Sequence, residues 1–131
     1  QTFLLSEFLD HQGYRPPHLG GKAVVQAHCH HRAIFNTQAQ DRLLRDLGVE
    51  TRAITDGCCG IAGGFGFEAE KYEVSIKCAE RDLLPAVRAA DSNTMLIVDG
   101  FSCREQIRQT TGRHALHFAD VLARAVERRT G

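Results

Sequence analysis

The sequence has no surplus of either charge, no long apolar run, no C-x-x-C pair and only one methionine. Sixteen basic side chains balance 16 acidic ones, so nothing in the composition marks a binder of nucleic acid or of polyanions in general. No segment approaches the roughly 20 apolar residues that span a bilayer, and no charged-then-apolar signal segment opens the chain. A soluble, unexported, cytoplasmic protein without a transmembrane segment is expected, its parent at most peripheral to the inner membrane. In that compartment thiols stay reduced, and an odd number of cysteines with one adjacent pair argues against a disulfide framework. The missing C-x-x-C removes support for thioredoxin-like dithiol exchange. Because the chain opens on Gln1 and its one methionine is Met95, it is expected to be a domain of something longer.

What is present suits a folded domain. At 131 residues, 43% apolar and 24% charged, the chain can bury a core without staples, and disorder or a coiled coil is excluded. Phe3, Leu4, Leu5, Phe8 and Leu9 predict a short amphipathic helix. The Gly13–Gly21 stretch, with two prolines and three glycines, predicts a lead-in loop. Residues 1–22 are therefore set apart as helix and linker, and 23–131 as the domain proper.

Within that domain, Ala23 to Cys29 is a β-branched apolar run of the kind buried on both faces of a parallel sheet. Gln38 to Leu47 predicts a helix stopped by Gly48, followed by a strand near Val49 to Thr55. A long helix is expected from Glu68, with Tyr72, Ile76, Ala79, Leu83 and Val87 as its buried stripe and a kink or restart at Pro85. Met95 to Val98 predicts a third strand, Cys103 to Arg108 a helix, His114 to His117 a fourth strand and Ala119 to Arg128 a closing helix with Val121, Leu122, Ala125 and Val126 inward. Such alternation defines an α/β fold, a mostly parallel sheet of about four strands with helices on both faces.

The cysteines carry the chemistry. Cys29, Cys58, Cys59 and Cys103 are separated by 28, 0 and 43 residues, too far for a local zinc knuckle. The three segments that hold them, at Cys29, at Cys58-Cys59 and at Cys103, follow predicted strands, and loops leaving the carboxyl ends of parallel strands gather on one edge, where ligands bind. Four thiolates suit a tetrahedral zinc or an iron–sulfur cluster with one cysteine per iron. Adjacent side chains diverge, which favours two irons over one ion for Cys58 and Cys59. Gly57, Gly60, Gly63, Gly64 and Gly66 allow close backbone approach, and the amides of this loop are candidate donors to sulfur. Cys103, at the expected start of a helix, gains thiolate character from the positive helix end. His28 and His30 flank Cys29, and one of them is expected to hydrogen-bond to the centre; the dense His28–His31 cluster also leaves open a mixed sulfur–imidazole zinc site or a cysteine nucleophile with a histidine base. His31, His114 and His117 are read as structural, and Cys78 as a small helix residue beside the buried stripe. Gly64-Phe65-Gly66-Phe67-Glu68-Ala69 fits G-x-G-x-x-A, but its loop is too long and the following strand lacks the acidic residue of a dinucleotide site.

The combination His28-Cys29-His30, Cys58-Cys59-Gly60-Ile61-Ala62-Gly63-Gly64-Phe65-Gly66, Tyr72-Glu73-Val74-Ser75-Ile76-Lys77 and Gly100-Phe101-Ser102-Cys103-Arg104-Glu105-Gln106-Ile107 resembles the cysteine-rich CCG domain. That family includes the carboxy-terminal region of FAD-linked D-lactate dehydrogenase-type oxidases, the iron–sulfur subunit of glycolate oxidase and a cysteine-rich subunit of heterodisulfide reductase. The likeness covers about Ala23 to Arg128. It implies an iron–sulfur electron-transfer domain of a FAD-linked oxidoreductase acting on a 2-hydroxy acid such as D-lactate or glycolate, with no catalysis of its own. By the same resemblance FAD and a ferredoxin-like domain belong to the parent chain or complex, and Cys29, Cys58, Cys59 and Cys103 hold a 4Fe-4S cluster. Gly100 stands where some members carry the first cysteine of a final C-x-x-C, so an ordinary four-iron cluster or zinc is implied in place of a five-cysteine centre. The alternative expectation is a structural zinc domain that docks other parts of the same oxidase.

Overall fold

Short apolar runs, Ala23-Val24-Val25 and Met95-Leu96-Ile97-Val98, form the two buried strands of the sheet, and the exposed Glu50–Ala53 adds a third. The computed structural model describes residues 4–26, 38–54, 60 and 68–130. Within them, β1 (Lys22–Gln26), β2 (Glu50–Ala53) and β3 (Met95–Val98) pair in parallel in the order β2-β1-β3. Successive side chains of a strand face opposite sides, and β1 divides its burial accordingly. Ala23 and Val25 join Leu43, Leu44, Ile97, Phe118 and Val121 in one core, beneath α2 (Gln38–Asp46) and α6 (Phe118–Thr130). Val24 joins Leu83, Val87, Leu96, Val98 and Ile107 in the other, beneath α4 (Leu83–Ala89) and α5 (Phe101–Thr111). Helices thus cover both faces, as the alternation of apolar runs requires.

The lead-in is tied down. Helix α1 (Leu5–His11) packs on α2, where Arg42 pairs with Asp10. The amides of Leu19 and Gly20 both donate to the Leu47 carbonyl, at 2.8 and 3.0 Å. Gly48, with φ of 75°, closes α2 as expected of a left-handed cap.

Two expectations change. The fourth strand reduces to a single parallel bridge between Ile97 and Leu116. Leu116 accepts from the Val98 amide at 2.8 Å and donates to Leu96 at 2.6 Å, and then the chain turns at once into α6. The long helix does restart, as Pro85 leads one to expect, but at Leu83, after a turn that separates it from the preceding helix. A 3₁₀ turn at Ala69–Lys71 leads to α3 (Tyr72–Ala79), and α4 starts afresh at Leu83. Pro85 occupies the first turn of α4, where its missing amide hydrogen costs no helix bond. The break shifts the helical phase: Ala79, Leu83 and Val87 are buried, Ile76 is half-buried, and Tyr72 is 51% exposed. Val126 is likewise 44% exposed, outside the otherwise buried stripe of α6.

One arginine closes the turn between α4 and β3. The Arg113 guanidinium donates to the carbonyls of Val87, Ala90, Asp91 and Thr94, at 2.7, 2.8, 2.9 and 3.2 Å. The same turn is held by Asp91, whose carboxyl lies below its usual range because the Thr94 hydroxyl and then the Asn93 amide donate to it. Charge-assisted bonds of this kind contribute about 1.5–3 kcal/mol each when buried. Since part of this cluster is solvent-facing, Arg113→Leu is expected to lower unfolding free energy by about 2–4 kcal/mol in urea titration. A variant as stable as the parent would show that the four contacts are redundant. Among the described residues, no helix is long and apolar enough to cross a membrane.

Candidate metal centre

In a parallel sheet of this order the chain leaves neighbouring strands toward opposite faces, and the crevice so opened at their carboxyl ends is where ligands bind. Here that point lies between β1 and β3. The helix following β1, α2, packs on one face, and the helix following β3, α5, packs on the other. Gln26 and Val98, paired in register, are the last residues of the two strands.

On the β3 side the turn is short and firmly held. Val98 is followed by Asp99 and by buried Gly100, which caps α5 in an extended conformation. Arg104 reaches back from the first turn of α5 to the carbonyls of Val98 and Asp99, at 3.1 and 2.8 Å. Asp99 accepts from the Phe118 amide at 3.1 Å. His117 completes the start of α6: its Nδ1 accepts from the Ala119 amide at 3.0 Å, while Asp120 accepts from its backbone amide at 3.0 Å. That reciprocal cap is the structural role expected of His117. The third residue of α5 is Cys103. It is 2% exposed, forms no disulfide, and packs in the core with Val98 and Ile107. A thiolate there faces the positive end of an eleven-residue helix.

The helix that carries Cys103 is tied to the helix on which Gly60 rests. Gln106 lies one turn along the same face of α5, about 4.5 Å further down the axis, and its Nε2 donates to the Ser75 hydroxyl at 2.9 Å, with both residues buried. Against the backbone of Ser75 lies Gly60, buried and with φ of 89°. A Cβ on Gly60 would lie 2.0 Å from the Ser75 carbonyl oxygen and 2.7 Å from its carbon. Only glycine fits against α3 there. The outer side of α5 is polar: Arg108, then Gln109, hydrogen-bond Glu105 and hold its carboxyl below the usual range.

Of the residues expected to form the centre, the structure describes Cys103 and Gly60, on or against two helices that the Gln106–Ser75 bond ties together. Cys29, Cys58, Cys59, His28, His30, Gly57, Gly63 and Gly64 lie outside the described residues, as do His31 and Gly66. Cys78 is half-buried in the last turn of α3, and His114 is exposed. Among the described residues, no three His, Cys, Asp or Glu side chains converge on a point. Three buried polar residues were not anticipated from the sequence: Gln26, at the end of β1, and Ser75 and Gln106, which bond each other, are 4%, 1% and 2% exposed. Gln26 carries a signal, as the one polar residue ending an otherwise apolar central strand. Its Oε1 is buried with no hydrogen-bond partner among the described residues, which is costly unless something else occupies the space beside it. A buried thiol at a helix start, where thiolate is favoured, is the kind of ligand that a zinc ion or an iron–sulfur cluster takes.

The chain has the sequence of an oxidoreductase-associated α/β domain. It is 26% identical over 114 residues to D-2-hydroxyglutarate dehydrogenase of Pseudomonas putida, which is 86% of this chain and 11% of that protein. Its identity to the Escherichia coli D-2-hydroxyglutarate dehydrogenase is 30% over 81 residues, 62% of this chain and 8% of that one. With one subunit of the E. coli anaerobic glycerol-3-phosphate dehydrogenase it is 29% over 106 residues, 80% and 26% of the two chains. The chain therefore spans between about a tenth and a quarter of the relatives it matches. No family model matches it, and no solved structure does.

Proposed function

We propose that the chain is an iron–sulfur electron-transfer domain of the CCG type, belonging to a FAD-linked oxidoreductase that acts on a 2-hydroxy acid such as D-lactate or glycolate. Its unit is residues 23–131, with 1–22 as lead-in. The observation that carries this reading is the switch point itself, where buried Cys103 follows the carboxyl end of β3 on a helix that the Gln106–Ser75 bond ties to the helix on which Gly60 rests. Gly60 is one peptide bond from Cys59, and Cys58 precedes that. Cys29 is three residues past the end of β1, a reach of at most about 11 Å. The short sequence distances from β1 to Cys29 and from β3 to Cys103 support a centre at the carboxyl ends of these two strands. The D-2-hydroxyglutarate dehydrogenases among the relatives act on a 2-hydroxy acid by name, which supports the substrate class, while flavin and a ferredoxin-like domain fall to the rest of the parent.

When bound, a four-iron cluster supplies a one-electron store within tunnelling reach of a partner. The protein's share is to hold four thiolates, to keep water from the inner side with the core of Val98, Ile107 and Leu96, and to place the start of α5 against an anionic group. Arg104, at that helix start, adds a positive charge at the same edge.

The test is assembly of the chain with ferrous iron and sulfide in the absence of oxygen, followed by metal and acid-labile sulfide analysis. About four irons and four sulfides per chain, with broad visible absorption, are expected. Stoichiometric zinc without sulfide would replace this reading with the structural zinc domain, and a chain that assembles neither would end both.

A further inference from the structure

We infer that a cleft at the amino edge of the sheet binds a small oxyanion, a carboxylate or a phosphate. This edge is opposite the one assigned to the metal centre, and the inference does not depend on that centre. Gly21 immediately precedes β1, Asn93 and Met95 lie at the start of β3, and α6 forms the facing wall with Arg124, Glu127 and Arg128. The cleft between them has a volume of about 450 Å³. Gly21 has φ of 92°, and a Cβ there would meet only the Met95 methyl, at 3.9 Å, so the floor of the cleft is open and in part apolar.

Arg124 and Arg128 stand one turn apart on α6 and line the same cleft. Glu127 offsets one of their charges, which leaves this wall with one positive charge in excess. Arg128 is already oriented, since its Nη1 donates to the Leu19 carbonyl at 3.1 Å; that uses one of the five N–H donors of a guanidinium. Arg124 has no hydrogen bond or ion pair among the described residues. Outside them the sequence holds one acidic side chain, Asp56, three residues past β2, a strand that ends at the opposite edge. A guanidinium takes carboxylate or phosphate oxygens through parallel N–H bonds, and two of them one turn apart suit a single oxyanion group. Two further clefts are also lined by arginines, but those are committed: Arg104 to the carbonyls of Val98 and Asp99, Arg108 to Glu105, Arg88 to Glu80, and Arg113 to four carbonyls.

The experiment is a nuclear magnetic resonance titration of the ¹⁵N-labelled chain with inorganic phosphate and, separately, with succinate, at an ionic strength held constant with sodium chloride. Saturable shifts are expected in the backbone amides of Gly21 and Asn93 and in the Nε–H groups of Arg124 and Arg128. Saturation by either probe supports the site, and the one that saturates at the lower concentration shows whether a phosphate or a carboxylate is its ligand. Arg124 is exposed, so Arg124→Gln is expected to keep the fold by circular dichroism and to weaken binding about tenfold or more. Arg88→Gln, at one of the other clefts, is expected to bind as wild type does. The wild-type titration decides without any variant: no shifts at these four residues, or shifts that rise without saturating, overturn the site. Unchanged affinity in Arg124→Gln overturns it as well.

Discussion

Replacing Gly60 by alanine is expected to lower unfolding free energy by about 2–5 kcal/mol, and to cut iron uptake with it. Two independent costs add. An alanine held at φ of 89° is in left-handed backbone, which costs an L-residue about 1–2 kcal/mol. Its methyl would then lie 2.0 Å from the Ser75 carbonyl oxygen and 2.9 Å from the Ser75 Cα. These are backbone atoms in the interior of α3, so no rotamer relieves the contact. Forcing such an overlap costs about 1–3 kcal/mol more. The chain must back away from α3, and Cys58 and Cys59, immediately before Gly60, must move with it. Gly112 supplies the control. It too has a left-handed φ, 71°, but a Cβ there meets nothing within 4 Å, so Gly112→Ala is expected to show the strain alone and to leave iron binding intact. Urea titration of both variants beside wild type measures the difference; equal losses for the two would show that the close approach of Gly60 to Ser75 does not exist.

The sheet was legible because buried parallel strands are short and rich in apolar, often β-branched residues. Ala23-Val24-Val25 and Leu96-Ile97-Val98 admit little else, and Gly48 marks the end of α2 by its conformation. The failures have a common cause, which is that periodicity assumes an uninterrupted element. The stripe from Tyr72 to Val87 presumes one helix, whereas the turn at 80–82 resets the phase and leaves Tyr72 facing outward. His114 to His117 looks like a strand, yet Arg113 is drawn to four carbonyls before it and His117 caps α6 after it, so one residue remains free to bridge.

At the candidate site, sequence named Cys103 and Gly60, since thiols and glycines announce their chemistry wherever they stand. It missed Gln26, Ser75 and Gln106, whose significance is burial, and burial is a property of the assembled fold. Gln106 sits between Cys103 and Ile107 on the inner side of α5, where sequence alone reads an ordinary helical glutamine. Only the bond to Ser75 shows that it ties α5 to the helix on which Gly60 rests.

Cys103 and Cys78 are expected to part company when each is changed to alanine. Cys103 is 2% exposed in the first turn of α5, behind a turn fixed by Arg104 and Asp99. Cys78 lies half-buried in the last turn of α3, next to the turn that leads to α4. Alanine suits both positions as a helix former, and loss of a buried sulfur costs each only about 1–2 kcal/mol through missing contacts. Ligation separates them. Partners outside the ligand set already change metal affinity by about 10–100-fold, so removal of a ligand thiol is expected to lower iron retention at least that far. Cys103→Ala should therefore remain folded by circular dichroism while holding about a tenth or less of the wild-type iron after desalting. Cys78→Ala should hold as much as wild type. The sign of the contrast decides the assignment: if Cys78→Ala loses the iron and Cys103→Ala keeps it, the centre is not at the switch point, and the crevice between β1 and β3 is only a packing feature of the sheet.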